Sequence, residues 1–135
     1  MASIPDAFVD LLERETFAHV ATLAPDGRPH VTPVWIDHDG DDVLFNTAEG
    51  RVKTRNVRAD ERVALSVTDP DDPYRYLAIR GDVVEVTTEG ADDHIDELAR
   101  RYMGVDEYPN HQPGVDRIIV RVRPTAVSTR ANPND

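Results

Sequence analysis

Four cationic side chains follow one another in a chain that is otherwise strongly acidic. Arg51, Lys53, Arg55 and Arg58 have no acidic residue among them, whereas the whole chain carries a formal net charge of -11. Lys53 is the only lysine in the sequence. Cations gathered in this way indicate a local anion site, and phosphate is the commonest small anion that such sites bind.

The element expected to position these cations is the first turn of a short helix. Residues 43–47 have the composition of a strand, Gly50 interrupts that run, and a helix is predicted to begin directly after it. First-turn N–H groups point beyond the helix end, where the helix dipole favours a negative charge. The predicted anion therefore lies between a strand end and a helix N-terminus.

A simpler interpretation of the same residues stays open. Arg51, Arg55 and Arg58 have i, i+4, i+7 spacing, which is typical of one solvated stripe on a helix. Lys53 lies about 200° around the helix from Arg51 and does not belong to that stripe. Its position fits an anion site if Arg51 and Lys53 leave the loop and the first turn toward one ligand.

The stretch Thr32-Pro33-Val34-Trp35 suggests a second binding surface. A proline in mid-strand removes a hydrogen-bond donor, which restricts the strand to an edge or a bulge. Backbone N–H and C=O groups that lack a strand partner, beside the only tryptophan, would suit a flat heteroaromatic ligand. The alternative is an edge strand whose proline discourages aggregation and whose Trp35 belongs to the core.

Two tyrosines have the spacing of residues on one face of a strand. Tyr74 and Tyr76 follow a loop that contains two prolines. They are predicted either to form a wall of a pocket or to cover the core.

Several kinds of chemistry are excluded by what the sequence lacks. Cysteine is absent, which removes disulfides, thiolate catalysis and Cys-based zinc sites. The five histidines show no metal-ligand spacing, and His94-x-x-Glu97 lacks the second histidine of a zinc-protease motif. No serine has a nucleophile-elbow context, and neither a P-loop nor a Gly-x-Gly-x-x-Gly motif occurs. The sequence therefore predicts no catalytic residue and no metal site.

Length and composition of the 135-residue chain favour a single domain, predicted to span residues 1–130 with a flexible tail at 131–135. No apolar run approaches the ~20 residues needed to span a bilayer, and no secretory signal is visible, so we expect a cytoplasmic protein without a membrane partner. The acidity argues against a nucleic-acid partner. Aspartate-rich, arginine-over-lysine usage suggests a halophilic surface.

Strand and helix patterns alternate along most of the chain. A short helix is predicted within residues 3–15, with Ser3 as its cap, and a clearer helix at 91–103 ends at Gly104. Gly81 is predicted to form a bulge or a bend. Strands are predicted at 17–23, 31–36, 43–47, 62–68, 74–88 and 117–123, and the first three form an antiparallel meander. A turn or loop with two prolines is predicted at 69–73. The fold class is therefore α+β, with a closed or partly closed six-stranded antiparallel barrel and two or three short helices.

A series of short motifs occurs in order along the chain. It runs Phe17-Ala-His-Val-Ala-Thr-Leu, Pro-Asp-Gly-Arg-Pro, Val-Thr-Pro-Val-Trp, Phe-Asn-Thr, Gly-Arg-Val-Lys-Thr-Arg-Asn, Arg-Val-Ala-Leu-Ser-Val-Thr-Asp-Pro and Asp-Pro-Tyr-Arg-Tyr. This series resembles the pyridoxamine 5'-phosphate oxidase-like split β-barrel flavoproteins over about residues 4–128. Within them it looks most like the small oxidoreductases that depend on the deazaflavin coenzyme F420.

The resemblance implies a homodimer with two cofactor sites at the subunit interface. The ring of F420 or FMN would lie against the backbone of Thr32, Pro33, Val34 and Trp35, and the C-terminal strand end around Arg130 would reach toward the partner's site. The remaining residues that it assigns are Asn46 and Thr47 near the ring, Arg51, Lys53, Arg55 and Asn56 on the phosphate, and Tyr74 and Tyr76 at the ring or substrate pocket.

The function implied is that of a reductase, most simply one that uses F420H2 to transfer hydride to a small unsaturated or quinone-like substrate. The chemistry would belong largely to the cofactor, which agrees with the lack of a catalytic triad. The alternatives are an FMN-binding flavin reductase, a protein related to pyridoxamine phosphate oxidase, or a non-catalytic flavin carrier.

Overall fold

The computed structural model describes residues 2–131. It contains six strands, two α-helices and one N-terminal 3₁₀ helix, Asp6–Leu12. The strands are β1 (Phe17–Leu23), β2 (Pro29–Asp39), β3 (Asp42–Ala48), β4 (Arg62–Asp69), β5 (Asp72–Thr87) and β6 (Arg117–Arg130), and the α-helices are α1 (Val52–Ala59) and α2 (Ala91–Met103).

The six strands form a closed antiparallel barrel in the order β1-β2-β3-β6-β5-β4, which confirms the predicted architecture and the β1–β3 meander. Alternate residues of each strand point inward because side chains on a strand alternate between its two faces. The inward set forms one apolar core, whose largest fully buried members include Phe45, Ile36, Leu77, Ile79 and Ile118.

β2 changes partner halfway along its length. Its first part, from Pro29 to Trp35, pairs with β1, and its last part, from Ile36 to Asp39, pairs with β3. β3 continues past this point, but there it pairs only with β6. The barrel is therefore split between the first part of β2 and the end of β3, and this split positions the site described below.

Irregular pairing between β5 and β6 explains why β6 is longer than predicted. The register shifts at Gly81, which confirms the predicted bulge, and Gly81 faces Pro124 across the ladder. A bulge accepts a proline that a regular ladder would exclude. The prediction that this strand stops at Arg123 was therefore wrong, and β6 runs on to Arg130.

The other corrections concern the ends of elements. The N-terminal helix is 3₁₀, and its cap residue is Pro5 with no side-chain cap bond, so the predicted Ser3 cap was wrong. Of the turn or loop predicted at 69–73, the structure forms a tight turn, and β5 begins at Asp72, two residues earlier than predicted. Of the predicted tail at 131–135, all but Ala131 lies outside the described residues.

α2 spans the split from one strand to the other. At its N-terminal end, the side chain of Asn46 on β3 donates a hydrogen bond to the carbonyl of Ala91 over 3.0 Å. At its C-terminal end, the hydroxyl of Tyr102 accepts a bond from the Ile36 amide over 2.9 Å. Gly104 ends the helix in the left-handed conformation, as predicted. The helix therefore fixes one side of the opening.

Candidate functional site

A cavity of about 310 Å³ occupies the split between β2 and β3. β1, β2, β3, α1, α2 and the loop before β6 all contribute to it. Its walls are formed by Phe17, Pro33, Val34, Trp35, Asn46, Thr47, Arg51, Lys53, Ile95, Leu98, Met103, Tyr108, Asn110 and Arg117. Seven of the ten residues that the sequence assigned to a cofactor line it, which leaves Thr32, Arg55 and Asn56 outside.

Two strand edges face each other across this cavity without pairing. If the β2–β3 ladder continued beyond Ile36 and Phe45, Trp35 would pair with Asn46 and Val34 with Thr47. These pairs do not form in the structure, and β2 pairs there with β1 alone. Pro33 therefore lies on a strand edge, as its missing donor requires.

One wall of the cavity is aromatic. Trp35 stacks on Tyr102 with ring centroids 5.0 Å apart and meets Tyr108 edge-on at 6.0 Å. Its neighbour on β2, Val34, is buried in the barrel core, so Trp35 points to the opposite face of the strand. Trp35 is half-buried at the cavity wall and is not a member of the barrel core.

One end of the cavity is cationic. Arg51, Lys53 and Arg117 line it, and no carboxylate of residues 2–131 lies within 4.0 Å of their charged nitrogens. Burial lowers the pKa of Lys53, and the neighbouring charges of Arg51 and Arg117 lower it further. Burial lowers the pKa of Arg117 as well. Cations that repel one another and lack acidic partners make a site that an anion would stabilise.

The N-terminus of α1 meets this cationic end. Gly50 has a φ of 86°, a conformation that glycine adopts at little cost, and it turns the chain from β3 into the helix. Arg51 is the cap residue, it makes no side-chain cap bond, and the first turn holds no acidic residue. The first-turn N–H groups therefore have no side-chain cap and add to the positive potential.

The rest of the basic segment lies outside the cavity. Arg58 forms a bidentate ion pair with Glu49 at 2.6 and 2.5 Å. Arg55 is exposed and donates to the carbonyl of Gly50 over 3.4 Å. Asn56 is 3% exposed and donates to the hydroxyl of Thr22 over 3.0 Å. The structure therefore brings Arg51 and Lys53 together, and it turns Arg55 and Asn56 toward other surroundings.

Three other predicted residues are placed in different ways. Thr32 faces the barrel interior, and its buried hydroxyl has no hydrogen-bond partner among residues 2–131. Tyr74 is 61% exposed and Tyr76 is half-buried near the start of β5. Neither tyrosine lines this cavity within one protomer.

Sequence reasoning missed the residues that loop 104–116 and β6 contribute. Arg117 pairs with Ala48 in the β3–β6 ladder, which places it beside Arg51 and Lys53. The guanidinium carbon of Arg117 lies 5.1 Å from the centre of the Tyr108 ring. The sequence showed only that Arg117 is a cation at the start of the last predicted strand. Its place beside Arg51 and Lys53 depends on long-range strand pairing, which no local pattern reveals.

Two other kinds of feature are absent from the part of the chain that the structure describes. No group of three or more histidine or acidic side chains is arranged to hold a metal ion in residues 2–131. None of the helices in that range is both long and apolar enough to cross a membrane.

Comparison with known proteins gives a family match over nearly the whole chain. A family model described as pyridoxamine 5'-phosphate oxidase matches residues 4–131. A solved F420 reductase is 40% identical, with a TM-score of 0.80 and coverage of 93% of this chain and 98% of that one.

More distant solved structures share the fold. A conserved hypothetical protein from Mycobacterium tuberculosis is 22% identical with a TM-score of 0.73, covering 94% of this chain and 84% of that one. HupZ from Group A Streptococcus is 18% identical with a TM-score of 0.70, covering 96% and 99%. At these identities the similarity is one of fold.

Proposed function

Because the chain belongs to the pyridoxamine 5'-phosphate oxidase family, we propose that it is an oxidoreductase with a deazaflavin or flavin cofactor. The specific proposal is an F420H2-dependent reductase that passes hydride to a small unsaturated or quinone-like molecule. The 40% identity to an F420 reductase over 93% of this chain supports F420 over FMN.

The observation that carries this proposal is the combination of two surfaces in one cavity. Arg51, Lys53 and Arg117 offer charge and hydrogen-bond donors to a phosphate, and no carboxylate of residues 2–131 lies within 4.0 Å of them to compete. Trp35 and the open β2 edge offer a flat apolar wall with backbone polar groups, which suits a polar aromatic ring. A phosphorylated ring compound fits both surfaces, whereas a free phosphate would use only one.

The bound (deaza)flavin would supply the hydride, and the protein would supply position and a dry surface. Lys53, Arg51 and Arg117 would hold the phosphate. The backbone of Pro33–Trp35 would orient the ring and, with the apolar side chains of α2, keep water from it. The cofactor roles of Thr32, Asn46, Thr47, Arg55 and Asn56 stay part of the proposal. Arg55 would be reached only by a ligand that extends beyond the cavity, and the side chain of Asn56 is buried against Thr22.

A second copy of this chain is proposed to close the site. The outward face of the barrel beside the cavity is formed by Val31, Ala21, Ala64, Ala78 and Ala126 together with His19, Ser66, Ser128 and one charged residue, Arg80. No acidic residue lines it, although the chain holds 26 of them. Val31 is 61% exposed, and Phe17 at the cavity rim is 54% exposed. A mainly small and apolar face without acidic residues, continuing into the cavity rim, favours a homodimer.

The dimer also gives a place to the two tyrosines. Tyr76 pairs with Arg130 across the β5–β6 ladder, and Tyr74 is exposed beside them. These residues lie outside the cavity of their own protomer, so their proposed role at the ring or substrate pocket requires the partner's cavity. Light scattering coupled to size-exclusion chromatography tests this step, and a monomer at micromolar concentration would refute it.

The function is tested by titrating the protein with F420 and FMN side by side, followed by turnover of the reduced forms. We expect quenching of F420 fluorescence with micromolar affinity, and oxidation of F420H2 when quinones or conjugated enones are added. Tight binding of FMN alone would favour the FMN-dependent alternative. Binding without hydride transfer to any acceptor of the panel would favour a carrier, and binding of neither compound would refute the proposal.

A further inference from the structure

A chain of hydrogen bonds connects the cavity to β2 through α2. Arg117 Nε donates to Asn46 Oδ1 over 2.9 Å. Asn46 Nδ2 donates to the Ala91 carbonyl over 3.0 Å and contacts His94 Nδ1 at 3.1 Å. His94 Nε2 lies 3.1 Å from Asp37 Oδ2. Both Asn46 and His94 are 9% exposed, so these contacts are protected from water.

The donor or acceptor character of each partner determines which ring nitrogen of His94 carries a proton. An ionised carboxylate only accepts hydrogen bonds, and hydrogen bonds from His94 and the backbone help to lower the pKa of Asp37 against the effect of its burial. His94 Nε2 therefore carries a proton and donates a hydrogen bond to Asp37. The amide nitrogen of Asn46 only donates, so His94 Nδ1 must be unprotonated to accept from it.

This arrangement also fixes the orientation of the Asn46 amide. If the amide were turned over, its oxygen would face two acceptors, the Ala91 carbonyl and His94 Nδ1. Its nitrogen would face the Nε–H of Arg117, which is a donor. Three contacts would then become repulsive, so one orientation is strongly favoured.

We propose that His94 is a positioning residue for the cationic end of the cavity. Through its unprotonated Nδ1 it orients the amide of Asn46, and Asn46 in turn directs the guanidinium of Arg117. Arg117 has no carboxylate partner within 4.0 Å among residues 2–131, so Asn46 and the ring of Tyr108 are what hold it. The inference rests on the proposed function, because it assigns Arg117 to the ligand's phosphate.

Two substitutions at one position separate the two contacts of His94. In His94→Asn, the amide oxygen takes the place of Nδ1, so the contact with Asn46 is kept and that with Asp37 is lost. In His94→Gln, the longer side chain reaches Asp37, and the acceptor for Asn46 is lost. A role confined to packing predicts the same result for both variants, whereas a positioning role predicts different results.

The readout compares ligands with and without the phosphate-bearing group. FMN is compared with riboflavin, which lacks only the phosphate, and F420 with its deazaflavin core, which lacks the phosphate and the tail beyond it, by fluorescence titration. We expect His94→Gln to weaken binding of the phosphorylated form about tenfold, with little change for the phosphate-free form. His94→Asn should keep the wild-type ratio of the two affinities. Equal ratios in both variants, whether unchanged or reduced, would overturn the proposal.

A measurement on the unmodified protein guards against variants that do not fold. Nitrogen-15 NMR of the histidine rings should show His94 with its proton on Nε2 and a bare Nδ1, and a proton on Nδ1 would overturn the proposal. If the unmodified protein shows no preference for phosphorylated ligands, the phosphate site itself is refuted. If that preference exists and His94→Gln retains it, only the positioning role fails.

Discussion

Replacing Lys53 by methionine tests the phosphate site directly, because this change removes the charge and keeps most of the apolar stem. In the protein without ligand, Lys53 is half-buried beside Arg51 and Arg117, and its pKa is lowered by burial and by these two charges. In the proposed complex it donates a charge-assisted hydrogen bond to the phosphate. The same substitution should therefore act in opposite directions on ligand binding and on stability.

The size of the binding effect follows from the kind of contact that is lost. A hydrogen bond that involves a charged group is worth about 1.5–3 kcal/mol, which corresponds to roughly 10- to 150-fold in affinity. Lys53→Met should weaken FMN or F420 by this factor and leave riboflavin or the deazaflavin core nearly unchanged. Because the change relieves repulsion among three cations, the melting temperature of the ligand-free protein should stay the same or rise.

A charge-matched control distinguishes a local contact from the general field of an acidic protein. Arg62 follows the C-terminal end of α1, pairs with Asp60 at 2.7 Å and does not line the cavity. Arg62→Met makes the same change in net charge and should leave both affinities within about twofold of the wild type, since exposed pairs contribute little. All titrations are made at one salt concentration because salt screens the field. A phosphate preference that survives in Lys53→Met would refute the assignment of the phosphate to this end of the cavity.

Three other perturbations have defined outcomes. Phosphate-dependent binding should fall as the pH rises through the lowered pKa of Lys53, because the lysine then loses the charge that attracts the anion. In a plot of FMN affinity against pH, Lys53→Arg should remove this alkaline decline, because arginine stays charged. Gly81→Ala should destabilise the fold by about 1–3 kcal/mol in urea unfolding, because the added Cβ would lie 2.5 Å from the carbonyl oxygen of Arg123. An unchanged unfolding midpoint would contradict the close packing at this bulge. A hydrogen bond from Arg75 lowers the pKa of Asp10, so the stability from this contact is present above the ordinary aspartate pKa and lost as the pH falls through the lowered one. Arg75→Met should cost about 1–3 kcal/mol at neutral pH and make the acid decline shallower, as followed by thermal melts from neutral to acidic pH.

Local sequence patterns predicted the strands well because their alternation reports directly on burial. β1 agrees with its prediction residue for residue, and α2 has its predicted bounds because it is amphipathic and ends at a glycine. The predicted end of β6 was wrong because proline is expected to end a regular ladder. Only the irregular pairing of Pro124 with Gly81 shows how the strand accommodates this residue. Such pairing brings together residues 43 positions apart and leaves no local pattern.

The candidate site likewise contains residues that a local sequence pattern predicts and residues that depend on long-range strand pairing. Arg51 and Lys53 could be predicted because they lie next to one another around a single turn and helix start. Arg117 could not, because it reaches the cavity only through its pairing with Ala48 on a distant strand. Asn56 was assigned to the phosphate from its place in a motif, whereas helix rotation turns its side chain inward toward Thr22.

The open edge of β2 also has a consequence for the physical behaviour of the protein. Unpaired strand edges are templates on which other chains assemble into extended sheets. Here Pro33 leaves a gap in the row of donors, and α2 lies against this side of the barrel, held by Tyr102 and Arg101 to the backbone of Ile36. Detachment of the C-terminal turn of α2 would expose more of that edge. Heat-induced aggregation of the ligand-free protein should therefore begin at this strand, and a ligand that fills the split should delay it.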